Sequence, residues 1–337
     1  MKSFASDNHS GVANEMIDAI VAANVGHQPA YGEDPMTTEA LQLIRDELGA
    51  KGPVFFVYNG TAANTLALKS ILRSHESIIC TESAHIVNHE VGAPTAYTGS
   101  SCLSTPHKNG KITPEAIKKR HSEETKWGHH ATLPRVVSVT QPTELGTLYT
   151  IEEMSQIAEI CRQLNLVFHM DGCRIYNAAV SLKRSLREIT RDVGVDVLSL
   201  GGTKNGLMFG EAVVFFNQSL SKDFSYIHKQ GLQLHSKMRY ISAQFIPFFK
   251  DRLWHKYASR ANDMCQYLAE KLAQRGISTF EYPVETNQIF VSLPKETLSR
   301  AQEQMPFYCF NEESGLARLV ASFDTEKEEV DRFVEIL

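Results

Sequence analysis

Asp171 closes the apolar run Leu166-Val167-Phe168-His169-Met170, and Lys204 follows later within Gly201-Gly202-Thr203-Lys204-Asn205-Gly206. A carboxylate at the end of such a run is costly unless a cation meets it; its plainer use is to cap the next helix. A lysine held between glycines and out of water acts as an amine nucleophile toward an aldehyde; otherwise it is an ordinary loop residue. In Asn59-Gly60-Thr61-Ala62-Ala63-Asn64 an apolar strand passes into an apolar helix. The free backbone N–H groups there suit a phosphate, or the segment is a simple turn. His85, in Glu82-Ser83-Ala84-His85, offers a flat ring for stacking, or is a surface histidine. His89 lies four residues on, but no third ligand stands near the pair, so no metal site is expected. A lysine for a Schiff base, a carboxylate for a pyridinium nitrogen, a phosphate-binding helix start and a stacking ring are together the parts that hold pyridoxal 5'-phosphate.

Those residues need a scaffold that brings strand ends together. Residues 50–217 alternate short apolar runs with helical periods, with strands expected at 54–58, 77–80, 134–140, 166–171, 195–200 and 212–217. Continuous Val, Ile, Leu and Phe runs mark strands covered on both faces. Thr150-Ile151-Glu152-Glu153 is a capping box and Thr113-Pro114 a second helix start. The pattern predicts an α/β large domain over 1–245, with a mostly parallel sheet covered by helices. Open sheets of this kind place ligands at their carboxyl ends. The texture changes after about residue 240. A long helix over 254–275 is stopped by Gly276; strands are expected at 287–293 and 316–323. A last helix opens on the box Thr325-Glu326-Lys327-Glu328 and buries Val330, Phe333, Val334 and Leu337. This predicts a smaller α+β domain over 246–337.

Lys+Arg is 34 against Asp+Glu 39, a net charge of −5 without a basic stripe, so a nucleic-acid partner is not expected. The six cysteines form no C-x-x-C pair, which fits reduced thiols in the cytoplasm. No apolar leader or membrane-length run is visible, so neither secretion nor a membrane role is expected. Dinucleotide, P-loop, serine-hydrolase elbow and zinc-protease motifs are absent.

The chain resembles the low-specificity L-threonine aldolases, within the aspartate-aminotransferase-like (fold type I) group of pyridoxal-phosphate enzymes. The resemblance runs from Phe4-Ala5-Ser6-Asp7-Asn8 to Ala317-Arg318-Leu319-Val320. Its pieces are Ala30-Tyr31-Gly32-Glu33-Asp34, the Asn59–Asn64 segment, His169-Met170-Asp171-Gly172, the Gly201–Gly206 segment and Ser236-Lys237-Met238-Arg239. It implies cleavage of L-threonine or L-allo-threonine to glycine and acetaldehyde. By it Lys204 carries pyridoxal 5'-phosphate, Asp171 holds the pyridinium nitrogen, Gly60 and Thr61 bind the phosphate, and His85 stacks on the ring. Ser6, Arg174 and Arg318 match residues that bind the substrate carboxylate, for which arginine's planar fork is suited. Tyr31 and Arg239 match residues that reach the cofactor across a subunit interface, in a homotetramer of catalytic dimers. His85 leads as the base, with His130 second. Cys173 departs from the family's usual alanine. Two rivals stay open: β-elimination or cleavage of a bulkier β-hydroxy amino acid on the same scaffold, and a cofactor-holding protein without turnover. Arg318 has its own plainer reading, a strand-end arginine paired with a carboxylate such as Asp324.

Overall fold

The computed structural model describes residues 2–337. Seven strands form the main sheet: β1 (Val54–Val57), β2 (Glu76–Thr81), β3 (Ser101–Thr105), β4 (Leu133–Thr140), β5 (Val167–Gly172), β6 (Val197–Leu200) and β7 (Glu211–Phe215). Their order is β1-β7-β6-β5-β4-β2-β3, and β7 alone runs against its neighbours. Every residue of β5, β6 and β7 is buried, as continuous apolar runs require when helices cover both faces. The expected α/β sheet is therefore present. β3 escapes a periodicity reading because it is an edge strand of Ser-Cys-Leu-Ser-Thr, with only Leu103 and Thr105 buried.

A second sheet holds β8 (Gln288–Ser292), β9 (Tyr308–Asn311) and β10 (Leu316–Val320) in the order β8-β10-β9, all antiparallel. Its core joins Leu268, Ile289, Val291, Leu319 and Phe333 to Phe4 from the start of the chain. Val320 N–H donates to Phe4 O and Phe4 N–H to Pro306 O, both at 2.8 Å. This lays Ser6 and Asp7 beside the small sheet and carries them to the large one. Helix Leu253–Gln274 serves both cores, with Leu253, Trp254 and Tyr257 in the large and Leu268 and Leu272 in the small. Gly276, at φ 80°, follows its last turn.

Local signals position the other helices. Thr150 and Glu153 complete the capping box of helix Ile151–Gln163, and Thr113 caps helix Pro114–Thr125. The last helix, Lys327–Ile336, differs from the expected start by one residue. Its cap is Glu326, whose N–H donates to Glu329 Oε2 at 3.0 Å. The Thr325 hydroxyl is already taken as acceptor by Ser322 N–H at 2.9 Å.

Candidate active site

The C-terminal ends of β4, β5 and β6 converge on the N-terminus of helix Gly60–Ile71. Asp171 lies in register with Thr140 of β4 and Ser199 of β6 and is buried. Asn64 Nδ2 donates to its Oδ2 at 2.8 Å, and Cys173 N–H to its Oδ1 at 3.0 Å. Burial alone would push this carboxyl up. The donated hydrogen bonds and the charge of Lys204 outweigh it and hold the group below the usual carboxylate range. The site thus keeps a negative charge ready for a cationic nitrogen. Lys204 sits half-buried in the tight turn Thr203–Asn205 after β6, and its amine has no hydrogen bond or ion pair among the described residues. Gly201 and Gly202 are required here: a Cβ would stand 2.3 Å from Cys173 O at the first and 2.4 Å from Gly210 O at the second.

Asn59 caps helix Gly60–Ile71 by accepting from Ala62 N–H at 2.9 Å. The N–H groups of Gly60 and Thr61 have no acceptor among the described residues, so a twelve-residue helix presents two free donors and its positive end. A Cβ on Gly60 would lie 3.0 Å from Cys173 Sγ. Free amides, an ionised carboxylate and an unengaged amine at the carboxyl end of one sheet fit pyridoxal phosphate.

His85 opens the short helix His85–Asn88, with its side chain about one-third exposed. Its Nδ1 lies 2.8 Å from Glu90 Oε1, and its backbone N–H donates to Glu144 Oε1 at 2.8 Å. Glu144 also accepts from the Thr140 hydroxyl at 2.6 Å, and burial pushes its carboxyl up. On the other side of the site, Arg174 Nε and Nη2 grip Asp7 Oδ2 and Oδ1 at 2.6 and 2.9 Å, and Asn287 Nδ2 donates to the same carboxylate at 3.2 Å. Burial would raise Asp7, but the guanidinium overrides it and the group lies below the usual range. Arg318, on β10, is different. Its Nη2 donates to Ala5 O at 3.2 Å, its plane rests on Tyr308 and Phe310 at 5.2 and 5.5 Å, and its Nε is buried without a partner. No carboxylate lies within 4 Å of it among the described residues. Asp324 pairs instead with Lys2 at 3.2 Å. Burial, with Arg174 nearby, lowers Arg318 to about 10, as suits a cation waiting for an anion. The Ser6 hydroxyl accepts from Asn8 N–H at 3.1 Å and retains its own hydrogen to donate.

Three expected residues lie elsewhere. His130 falls in the turn Gly128–His130 ahead of β4, at the amino end of a strand whose carboxyl end forms the site. Its ring lies tilted against that of His129, centroids 4.3 Å apart, and the structure does not bring it to Lys204 or His85. Tyr31 and Arg239 occur together on a different surface: Tyr31 N–H donates to Ser236 O at 3.0 Å, and Lys229 Nζ sits 4.7 Å over its ring. Arg239 Nη2 reaches Tyr240 Oη at 3.2 Å, while its Nε has no partner. Among the described residues, no hydrogen bond or ion pair joins either to Asp171 or Lys204. Glu90, Glu144 and Glu211 lie in no motif and escape a sequence reading; Asn64 and Asp7 stand in segments already singled out, but their pairing with Asp171 and Arg174 does not show there. Burial pushes Glu211, at the start of β7, up to about 7 against the pull of the Thr203 hydroxyl and Lys204.

Beneath Asp171, His169 is fully buried between Ser138 Oγ at 2.9 Å and Ser199 Oγ at 3.1 Å. Burial lowers its ring from 6.5 to about 4. The unfolded chain therefore takes up a proton below about 6.5 that the folded chain refuses until about 4. Stability is expected to fall as pH drops through that window, by about 1.4 kcal/mol per pH unit from this group. Thermal unfolding of His169→Asn should show a shallower slope there; an unchanged slope would remove His169 as the cause.

The pattern of the beta-eliminating lyase family matches residues 3–320. A low-specificity L-threonine aldolase of Pseudomonas aeruginosa is 42% identical over 97% of this chain and 94% of its own length. That of Escherichia coli is 26% identical over 96% and 95%. Among solved structures, a threonine aldolase of Leishmania major superposes with a TM-score of 0.94 at 30% identity, covering 100% of this chain and 98% of its own. An aspartate aminotransferase of Thermus thermophilus, at 14% identity and a TM-score of 0.71, shares the fold.

Proposed function

Because the chain belongs to the beta-eliminating lyase family, we propose that its site cleaves L-threonine and L-allo-threonine to glycine and acetaldehyde with pyridoxal 5'-phosphate as cofactor. It is an enzyme, a carbon–carbon lyase. The single observation that carries the substrate class is Arg318, a half-buried guanidinium whose buried Nε has no partner and which has no carboxylate of its own among the described residues.

Lys204 and Asp171 would hold the cofactor at its aldehyde and its ring nitrogen, Gly60 and Thr61 at its phosphate, and His85 would cover its face. When bound, pyridoxal phosphate supplies the electron sink that takes the pair of the breaking Cα–Cβ bond. The residues of the chain do the rest. Arg318 and the Ser6 hydroxyl bind the substrate α-carboxylate. Arg174 supports them from its bidentate grip on Asp7, which engages Nε and Nη2. His85 takes the β-hydroxyl proton, directly or through one water, as the Cα–Cβ bond parts and the aldehyde leaves. A proton returned to Cα completes glycine.

Arg318→Leu tests the carboxylate clamp. Losing one charge-assisted pair is worth about 1.5 to 3 kcal/mol, a fall in kcat/KM of roughly tenfold to hundredfold. Cofactor absorbance should be unchanged. Wild-type kcat/KM for L-allo-threonine would remove Arg318 from the site. For the reaction itself, an aldehyde-coupled assay with both threonine isomers should show acetaldehyde. Pyruvate and ammonia from serine without aldehyde release from threonine would favour β-elimination.

The assembly we propose is a homotetramer of catalytic dimers, with Tyr31 and Arg239 reaching a neighbouring site. Exposed Val21, Val25 and Leu232, 66%, 68% and 83% exposed, support an interface. We place the protein in the cytoplasm, in keeping with six unpaired cysteines. No described helix is long and apolar enough to cross a membrane.

A further inference from the structure

Asp171, Asn64, Glu90 and His85 form one chain of hydrogen bonds. Asn64 is wholly buried and Glu90 is 3% exposed. They come from separate segments, one on helix Gly60–Ile71 and the other just past helix His85–Asn88. Asn64 Nδ2 donates to both Asp171 Oδ2 and Glu90 Oε1, each at 2.8 Å, so both hydrogens of the amide are spent on carboxylates. Glu90 Oε1 then meets His85 Nδ1 at 2.8 Å. A carboxylate only accepts, so the hydrogen in that contact belongs to Nδ1, and Nε2 is left as the ring's acceptor. A carboxylate buried among neutral donors is expensive. Glu90 Oε2 and Asn64 Oδ1 are, moreover, buried without partners. An arrangement selected for stability alone would not leave two orphans beside one charge.

We propose that Glu90 is a positioning residue for the reaction, holding His85 in the Nδ1–H tautomer, and that Asn64 ties this pair to Asp171 so that the base and the cofactor's ring partner are set as one unit. The inference rests on the reading of His85 as the base. A base must present a lone pair to the hydroxyl it deprotonates, and an imidazole in the wrong tautomer or turned about its Cβ–Cγ bond cannot. Glu90 settles both.

The test is a double-mutant cycle on cofactor-loaded enzyme with Glu90→Gln, His85→Asn and the pair. Glu90→Gln should lower kcat on the order of a hundredfold, while KM for L-threonine, the cofactor absorbance and the cofactor dissociation constant stay within about twofold. In the His85→Asn background the same substitution should cost almost nothing, because its effect passes through the ring already removed. Equal losses in both backgrounds, or a loss that follows cofactor release or a fall in Tm, would overturn the proposal. Should Glu90→Gln not fold, Glu90→Asp keeps the charge with a shorter reach and enters the same cycle, where the same non-additivity is required. A wild-type enzyme that releases no aldehyde would instead refute the aldolase reading.

Discussion

Lys204→Ala is expected to abolish turnover and, with it, the borohydride-reducible bond between the protein and pyridoxal phosphate. No other amine is proposed for that bond, and Lys204 makes no competing ion pair among the described residues. Removing the group that performs covalent catalysis costs on the order of 10⁴- to 10⁶-fold where an enzyme depends on it. The fold should survive, since the half-buried side chain contributes no hydrogen bond among the described residues. Cofactor should still bind without the covalent link, because the Gly60 and Thr61 amides and Asp171 are untouched. Absorbance, peptide mapping after borohydride reduction and thermal melting measure these separately. A reduced adduct found on a different lysine would overturn the assignment.

Asp171→Asn should give the second-largest loss. The isosteric amide keeps the packing of β5 but removes the charge that a protonated ring nitrogen needs. Breaking a buried charge pair by removing one partner costs about 3 to 5 kcal/mol. The expected fall in kcat is about a hundredfold to a few thousandfold, with weaker cofactor binding. Near wild-type kcat in fully loaded Asp171→Asn would reduce Asp171 to a cap for the segment after β5, whose Cys173 N–H it accepts. Titrating the apo variant with cofactor and measuring kcat at saturation separates affinity from turnover.

What could be read from sequence is local. Asp171, Lys204 and Gly60 were legible because each sits where an apolar run stops, and strand ends, glycine turns and caps are encoded by neighbours a few residues apart. Thr150 and Thr113 cap their helices for the same reason. The single-residue displacement of the last cap shows the limit: the Thr325 hydroxyl went to Ser322 N–H, a choice made by the turn before it.

The tertiary structure decided whatever depends on strand order. His130 and His85 have the same chemistry, but β4 runs its carboxyl end toward Asp171 and leaves His130 behind its amino end. Arg174 and Arg318 look alike as candidate carboxylate ligands. Only the path of the N-terminal segment between the two sheets hands Asp7 to the first and leaves the second unpaired. The pairing of Asn64 with Asp171 spans 107 residues and that of Asp7 with Arg174 spans 167. No periodicity reaches that far, because a hydrogen bond forms between atoms that the packed core brings within 3 Å, and the core is a property of the whole chain.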